Sequence, residues 1–160
     1  IEHTEAPVAI ALSETQIRFS LERGSLVSKL IDGTFPDYER VIPADNTKLL
    51  AVDRKAFREA VDRVATISTE TSRAIKLSLD DGTLVISATS PEHGSASESL
   101  AATYDGESLD VGFNARYLLD IADEIEDEAV HIVLGDPVAP TILRDASDEA
   151  SLYVLMPMRV

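Results

Sequence analysis

Leu30-Ile31-Asp32-Gly33-Thr34-Phe35-Pro36-Asp37-Tyr38-Glu39-Arg40-Val41-Ile42-Pro43 is the stretch that divides this chain. A strand-like run precedes it and a strand-then-helix pattern follows. It is long for a connection and dense in turn residues, yet it keeps two aromatics, Phe35 and Tyr38, that a Gly/Ser-rich linker would not need. Pro36 and Pro43 fix φ and remove backbone donors. The stretch therefore reads as a stiff, extended connector with turns at Asp32-Gly33 and around Pro36-Asp37. Such a connector holds two packed units at a set angle.

Upstream, Val8–Leu12, Gln16–Leu21 and Leu26–Ile31 read as short strands separated by polar turn residues. Downstream, Lys48–Val52 is a strand, and Asp53 caps a helix predicted to run to about Ser68. Phe57, Ala60, Val61, Val64 and Ile67 form its apolar stripe at helical spacing. Ala74–Leu79 and Leu84–Thr89 make a hairpin across Asp80-Asp81-Gly82. Ser95–Tyr104 is a more polar strand, expected at a sheet edge.

The order then recurs. Ser108–Phe113 is a strand, and Asn114 caps a second helix predicted to end near Glu126, with Leu118, Ile121, Ala122 and Ile125 as its stripe. Val130–Leu134, Thr141–Arg144 and Ser151–Met156 are three more strands. Lys48–Tyr104 and Asp105–Val160 thus share one pattern, strand-helix-strand-strand-strand, over 57 and 56 residues. The repeat rests on element order, because the two copies share little identity. The first 42 residues look like the last three strands of the same unit, without the helix that would cover them. The expected class is α+β, a domain of two β-α-β-β-β repeats with helices packed on antiparallel sheets.

Composition narrows the function classes. The chain has 160 residues, 44% hydrophobic and 27% charged, a globular balance. It has no Cys, which rules out disulfides and thiolate metal sites and fits a reducing compartment. No apolar run reaches the length of a membrane span. The 14 basic and 29 acidic residues leave a net charge of −15, the opposite of a domain that grips phosphates by charge.

No catalytic constellation stands out. His3, His93 and His131 are scattered, there is no nucleophile elbow, and no Gly-rich phosphate loop is present. Asp80-Asp81 and Asp123-Glu124 read as a turn and a solvated helix face. The chain is therefore read as non-catalytic, with no metal or cofactor. The tail, Val154-Leu155-Met156-Pro157-Met158, has two readings. One is an ordinary strand with alternate residues buried. The other is a soft, adaptable binding surface made by two Met beside a Pro.

The connector resembles one family, the bacterial DNA polymerase III beta subunit or sliding clamp. Its members carry a Leu-Ile-Asp-Gly-x-Phe-Pro-Asp-Tyr-x-Arg-Val-Ile/Leu-Pro connector before their third domain and end in Tyr-Val-x-Met-Pro-Met-Arg plus one apolar residue. Here the tail reads Tyr153-Val154-Leu155-Met156-Pro157-Met158-Arg159-Val160, and Gly112-Phe113-Asn114-Ala115-Arg116-Tyr117-Leu118-Leu119-Asp120 is a third match. The resemblance spans essentially all 160 residues but only the later part of a family chain. It implies that residues 1–42 are the closing strands and connector of an incomplete second clamp domain, and 43–160 a complete third one. It also implies a cytoplasmic processivity factor whose full-length homodimer encircles duplex DNA without reading sequence.

The resemblance further implies a pocket for short apolar peptides of the DNA polymerase III alpha subunit, the clamp loader, other polymerases and repair proteins. Carried over position by position, its walls are Pro36, Arg40 and Val41 from the connector, Asn114 and Tyr117 from the second helix, and Val138 and Pro140 from a late loop. Val154, Leu155, Met156, Pro157, Met158 and Arg159 complete it. Each has a plainer role beside this one: Tyr117 as core filler, Asn114 as a cap, Arg40 as a solvated charge. Ser72 and Pro140 stand where some relatives have Phe and Ser, which alters the rim.

Arg63, Arg73 and Lys76 match basic positions that face DNA in clamps. Arg54, Lys55 and Arg58 add charge, but Asp53, Glu59 and Asp62 dilute it, so a mixed solvated face is the competing reading. The second helix is acidic, with Asp120, Asp123 and Asp127 exposed and Glu126 where a relative can have Lys. The alternative from another class is a β-rich structural or protein-interaction domain with no role at DNA.

Overall fold

The computed structural model describes residues 6–68, 73–148 and 151–160; His3 and Ser72 lie outside the described residues. The chain divides into two compact units, one up to Asp37 and one from Tyr38 to Val160.

The first unit is a three-stranded antiparallel sheet in the order β1 (Ala9–Leu12), β2 (Gln16–Leu21), β3 (Gly24–Lys29). The Ser13 hydroxyl accepts from Gln16 N at 3.0 Å and closes the first hairpin. Ile10 pairs with Phe19, and Phe19 with Leu26, so these side chains share one face. That face has no cover within the unit: Ile10, Leu12 and Leu26 stay more than half exposed. Three short strands have too little area to build a core alone.

The connector contains an element that the sequence did not suggest, a 3-10 turn at Tyr38–Arg40. Val41 N donates to Tyr38 O at 2.9 Å and closes it.

The second unit contains β4 (Lys48–Asp53), α1 (Arg54–Ala65), β5 (Ala74–Asp80), β6 (Thr83–Ser90) and β7 (Gly94–Tyr104). The same order follows as β8 (Leu109–Asn114), α2 (Ala115–Glu124), β9 (Ala129–Leu134), β10 (Thr141–Asp145) and β11 (Tyr153–Leu155). The strands run β11-β10-β9-β4-β7-β6-β5-β8, antiparallel throughout. The repeats are interlocked: the first strand of each pairs with the second strand of the other, β4 with β9 and β8 with β5.

Strand β7 differs from its expected edge position. Gly94–Ala101 pairs with β6, and Ala102–Tyr104 pairs with β4. The polar alternation that suggested an edge instead marks a strand with one solvated face. Its role is to hand the sheet from one repeat to the other.

Period-2 alternation sends Ile75, Leu77, Leu79, Leu84, Ile86, Val130, Ile132 and Leu134 inward. Phe57, Ala60, Val61 and Val64 from α1 and Leu118, Ile121 and Ala122 from α2 complete one core. Burial of a side chain such as Phe57 contributes roughly 1.5–3 kcal/mol. The two helices pack against each other, and Arg58 on α1 reaches Asp123 on α2 at 2.5 Å.

Both caps form. Asp53 Oδ1 accepts from Ala56 N at 2.7 Å, and Asn114 Oδ1 accepts from Arg116 N at 3.0 Å. Both helices end earlier than their apolar stripes suggest. After Ala65 the amides of Thr66, Ile67 and Ser68 turn to carbonyls three residues back, a tightened last turn that keeps Ile67 half-buried. At α2, Asp145 takes the amides of Glu126 and Asp127, and the backbone becomes extended at Ile125.

Candidate functional site

The last residues build the most distinctive surface of the second unit. Strand β11 zips onto β10, with Leu155 opposite Thr141, Val154 opposite Ile142 and Tyr153 opposite Leu143. Leu155 enters the core and Val154 stays half-buried, so the strand reading of the tail holds as far as Leu155. Pro157 has no N–H and cannot continue a ladder. Met156, before it, turns to solvent and is 57% exposed.

Met158 then returns to the sheet. Its amide donates to Gly112 O on β8 at 2.9 Å, an isolated antiparallel bridge. A Cβ on Gly112 would strike the Met158 carbonyl oxygen and the Val160 side chain. Only a residue without a Cβ allows this approach. As β7 borders β4 in one repeat, the tail borders β8 in the other.

A groove of about 630 Å³ runs beside this bridge. Pro157, Met158, Arg159 and Val160 form one side, Pro137 and Val138 another, and Lys76, Asp110 and Gly112 the sheet side. Val138 and Val160 are largely exposed, so apolar surface faces solvent here. Local hydrogen bonds set the loop that carries Val138. Asp136 Oδ1 accepts from Val138 N at 2.9 Å and from Ala139 N at 2.7 Å. Asn46 Nδ2 donates to Val133 O at 3.0 Å and to Pro140 O at 2.8 Å, clamping the loop from outside.

Of the expected pocket residues, Val138, Pro157, Met158 and Arg159 meet at this groove. Pro140 supports the loop through its carbonyl. Arg40, Val41, Asn114, Tyr117, Val154, Leu155 and Met156 stand outside its lining. Tyr117 is 54% exposed on α2, which excludes the core-filler role. Asn114 caps α2 and also pairs with Ala74 in the β5–β8 ladder. Pro36 belongs to the first unit, where it is exposed. Sequence reasoning missed Gly112 and Asn46 as site residues. Neither carries a local signal, because each is defined by a backbone segment more than 40 residues away.

The three basic positions do not come together. Lys76 sits between the inward Ile75 and Leu77, so its side chain emerges on the sheet face away from the core. There it joins the groove, with Nζ 3.2 Å from Asp110 Oδ2. Grouping Lys76 with helix-side cations is therefore corrected by strand alternation. Arg63, on α1, is engaged by Glu98: Nε to Oε2 at 3.0 Å and Nη2 to Oε1 at 2.5 Å, with Glu59 at 3.5 Å. Arg73 has a left-handed backbone, φ 44°, and its carbonyl accepts from Ala115 N at 2.8 Å. It borders a hollow of about 340 Å³ with Asp62, Arg116 and Asp120.

The helix surface is largely self-neutralised. Hydrogen bonds from Arg63 and Arg58 hold the Glu98 and Asp123 carboxyls below their ordinary ranges. The Ser78 hydroxyl, and then Lys76, lower Asp110. Arg116 lies 3.8 Å from Asp120. Among the described residues, no group of three or more His, Cys, Asp or Glu is placed to hold a metal ion, and no helix is long and apolar enough to cross a membrane.

Comparison with known proteins matches this architecture. Residues 39–159 fit the family model for the DNA polymerase III beta subunit, C-terminal domain. A beta sliding clamp of Caulobacter vibrioides is 44% identical over 160 residues, all of this chain and 43% of that protein. Among solved structures, a Bartonella birtlesii sliding clamp bound to griselimycin is 52% identical with a TM-score of 0.88, covering 96% of this chain and 41% of that one. A Pseudomonas aeruginosa sliding clamp is 41% identical with a TM-score of 0.87, covering 98% and 43%. The chain thus spans less than half the length of the relatives it matches. With the interlocked repeats, the connector and the tail in place, the chain belongs to the DNA polymerase III beta subunit family, the sliding clamps.

Proposed function

We propose that this chain serves a DNA polymerase processivity factor, as part of a ring-shaped clamp that encircles duplex DNA and tethers replication and repair proteins by short peptides. The observation that carries the reading is the groove where Val138, Pro157, Met158 and Arg159 converge. An exposed apolar channel flanked by methionine is suited to several related peptides rather than to one. Arg40, Val41, Asn114, Tyr117, Pro140 and the Val154–Met156 segment are proposed to extend that surface. The proposed partners are the polymerase alpha subunit, the clamp loader and other polymerases and repair proteins. Homodimeric ring closure and cytoplasmic residence are proposed for the full-length protein. No catalytic role is assigned.

DNA contact on this reading is electrostatic and loose. Arg63 and Arg73 are the proposed contacts on the helix side, and each lies among carboxylates. Encirclement would hold DNA without tight phosphate contacts, which reconciles the role with a net charge of −15.

The test is titration of a fluorescent Gln-x-x-Leu-Phe peptide with the 160-residue chain and with a variant lacking Met156–Val160. Saturable binding that the truncation abolishes is expected. Failure of the intact chain to bind would overturn the docking reading.

A further inference from the structure

The pair Asp-Gly occurs three times in this chain, at 32–33, 81–82 and 105–106. It has a chemistry of its own. Glycine has no Cβ to shield its amide nitrogen, so that nitrogen can reach the side-chain carbon of the preceding aspartate. The attack is intramolecular, and its rate depends on how often the backbone brings the two atoms together.

The fold anchors two of these pairs. Asp81-Gly82 is the turn of the β5–β6 hairpin, closed by the Asp80–Thr83 ladder pair, and Gly82 O accepts from Ala102 N at 3.2 Å. At Asp105-Gly106 the Asp105 carboxylate accepts from Leu49 N, and the Asp105 amide donates to Leu49 O at 3.2 Å. Gly106 is packed in, since a Cβ there would strike the Tyr104 and Lys48 side chains. Asp32-Gly33 has none of these restraints. It lies between β3 and the 3-10 turn, outside any strand or helix, and both residues are exposed. Neither makes a hydrogen bond or ion pair among the described residues. A Cβ on Gly33 would meet nothing within 4 Å. Pro36 and Pro43 stiffen the connector only further along. No contact therefore opposes rotation about the Asp32 Cα–C bond.

We infer that Asp32 is a modification site of this protein, where the connector converts to isoaspartate without an enzyme. Gly33 N attacks Asp32 Cγ and a C–N bond forms. The carboxyl hydroxyl leaves as water with the amide proton. Water then opens the five-membered imide. Opening at Cγ restores aspartate. Opening at the former backbone carbonyl breaks its bond to Gly33 N, and the chain then runs through Cβ. One water is lost and one is gained, so no oxidant or reductant is needed. The connector becomes one backbone carbon longer and keeps its charge. The inference does not rest on the docking reading.

The test incubates the 160-residue chain in warm neutral buffer, native and in urea, and digests it. Peptide separation with electron-transfer fragmentation then measures isoaspartate at Asp32, Asp81 and Asp105. The native-to-denatured rate ratio is expected to be near one at Asp32 and at most about one-tenth at Asp81 and Asp105, the factor that about 1.4 kcal/mol of added barrier gives. Gly33→Ala places its methyl in open space and should leave the thermal midpoint unchanged. It should lower isoaspartate at Asp32 at least about tenfold, because the methyl shields the attacking nitrogen. A ratio at Asp32 as low as at the other two positions overturns the inference. Ratios near one at all three positions also overturn it, because the fold then selects nothing. Isoaspartate at Asp32 that Gly33→Ala leaves untouched removes the Gly33 nitrogen from the reaction and overturns it as well.

Discussion

Met158 N donates to Gly112 O at 2.9 Å, and this one bridge brings the tail back to β8, the strand that opens the same repeat. Gly112 lies in an extended strand, and its value is the space where a Cβ would be. The bridge orients the tail side of the groove, so groove shape depends on a residue that contributes no side chain.

Gly112→Ala should therefore separate docking from folding. The added methyl meets the Met158 carbonyl and Val160, and relieving the clash costs roughly 1–3 kcal/mol, concentrated on the tail. Affinity for a Gln-x-x-Leu-Phe peptide is expected to fall at least about tenfold, the equivalent of about 1.4 kcal/mol. Hydrogen exchange at the Met158 amide should accelerate while amides in β5 and β6 keep their protection. Unchanged peptide affinity would show that the bridge does not shape the dock.

Glu98→Gln tests the proposed DNA face. The substitution removes the charged partner that binds Arg63 through two hydrogen bonds. Weak duplex binding should strengthen, and the log–log salt slope should steepen by about 0.9 for the one cation released. A slope equal to that of the unmodified chain would mean that Arg63 does not meet the duplex.

Asp145 is a folding switch for acid. Its buried carboxylate accepts from Ser147 Oγ at 2.7 Å, Ser147 N at 2.8 Å, Glu126 N at 2.9 Å and Asp127 N at 3.2 Å. The Ser147 hydroxyl and amide are the main cause that holds it far below the ordinary carboxylate range. A depressed folded value means that its stabilisation is complete above the unfolded value near ~3.9 and is lost as pH falls through the folded one. Asp145→Asn places an amide N–H₂ among donors and should lower the thermal midpoint by roughly 5 °C at neutral pH. The gap between variant and parent should persist at pH 5 and close progressively below pH ~4 in thermal melts.

Thr141→Val should stabilise the domain. Thr141 is fully buried opposite Leu155, and its Oγ1 has no hydrogen-bond partner among the described residues. Replacing that hydroxyl by a methyl removes an uncompensated polar burial worth about 1 kcal/mol or more. A midpoint raised by a few degrees in calorimetry is expected, and a lowered one would point to an unseen partner for the hydroxyl.

Much of the fold was legible as local pattern. The stripes on α1 and α2, the Asp53 and Asn114 caps and the two-residue Asp81-Gly82 turn, with Gly82 at φ 71°, are all set by residues close in sequence. The repeated element order followed from those patterns. The helix ends were misjudged because tertiary or backbone competition, such as Asp145 capturing two amides, overrides an apolar period.

The sequence by itself determined which residues face inward, where the helices begin, and that a proline-bearing apolar tail ends the repeat. Those features depend on periods of 2 and 3.6 residues and on side chains that bond their own neighbouring backbone. Only the tertiary structure decided that β4 pairs with β9, that β7 joins the repeats, and that Lys76 shares a groove with Val138 and Arg159. Only it showed that Gly112 and Asn46 shape that groove. The reason is physical: pairing between distant strands is chosen by how the whole core closes, and a glycine that makes room for a distant backbone looks, in sequence, like any other glycine.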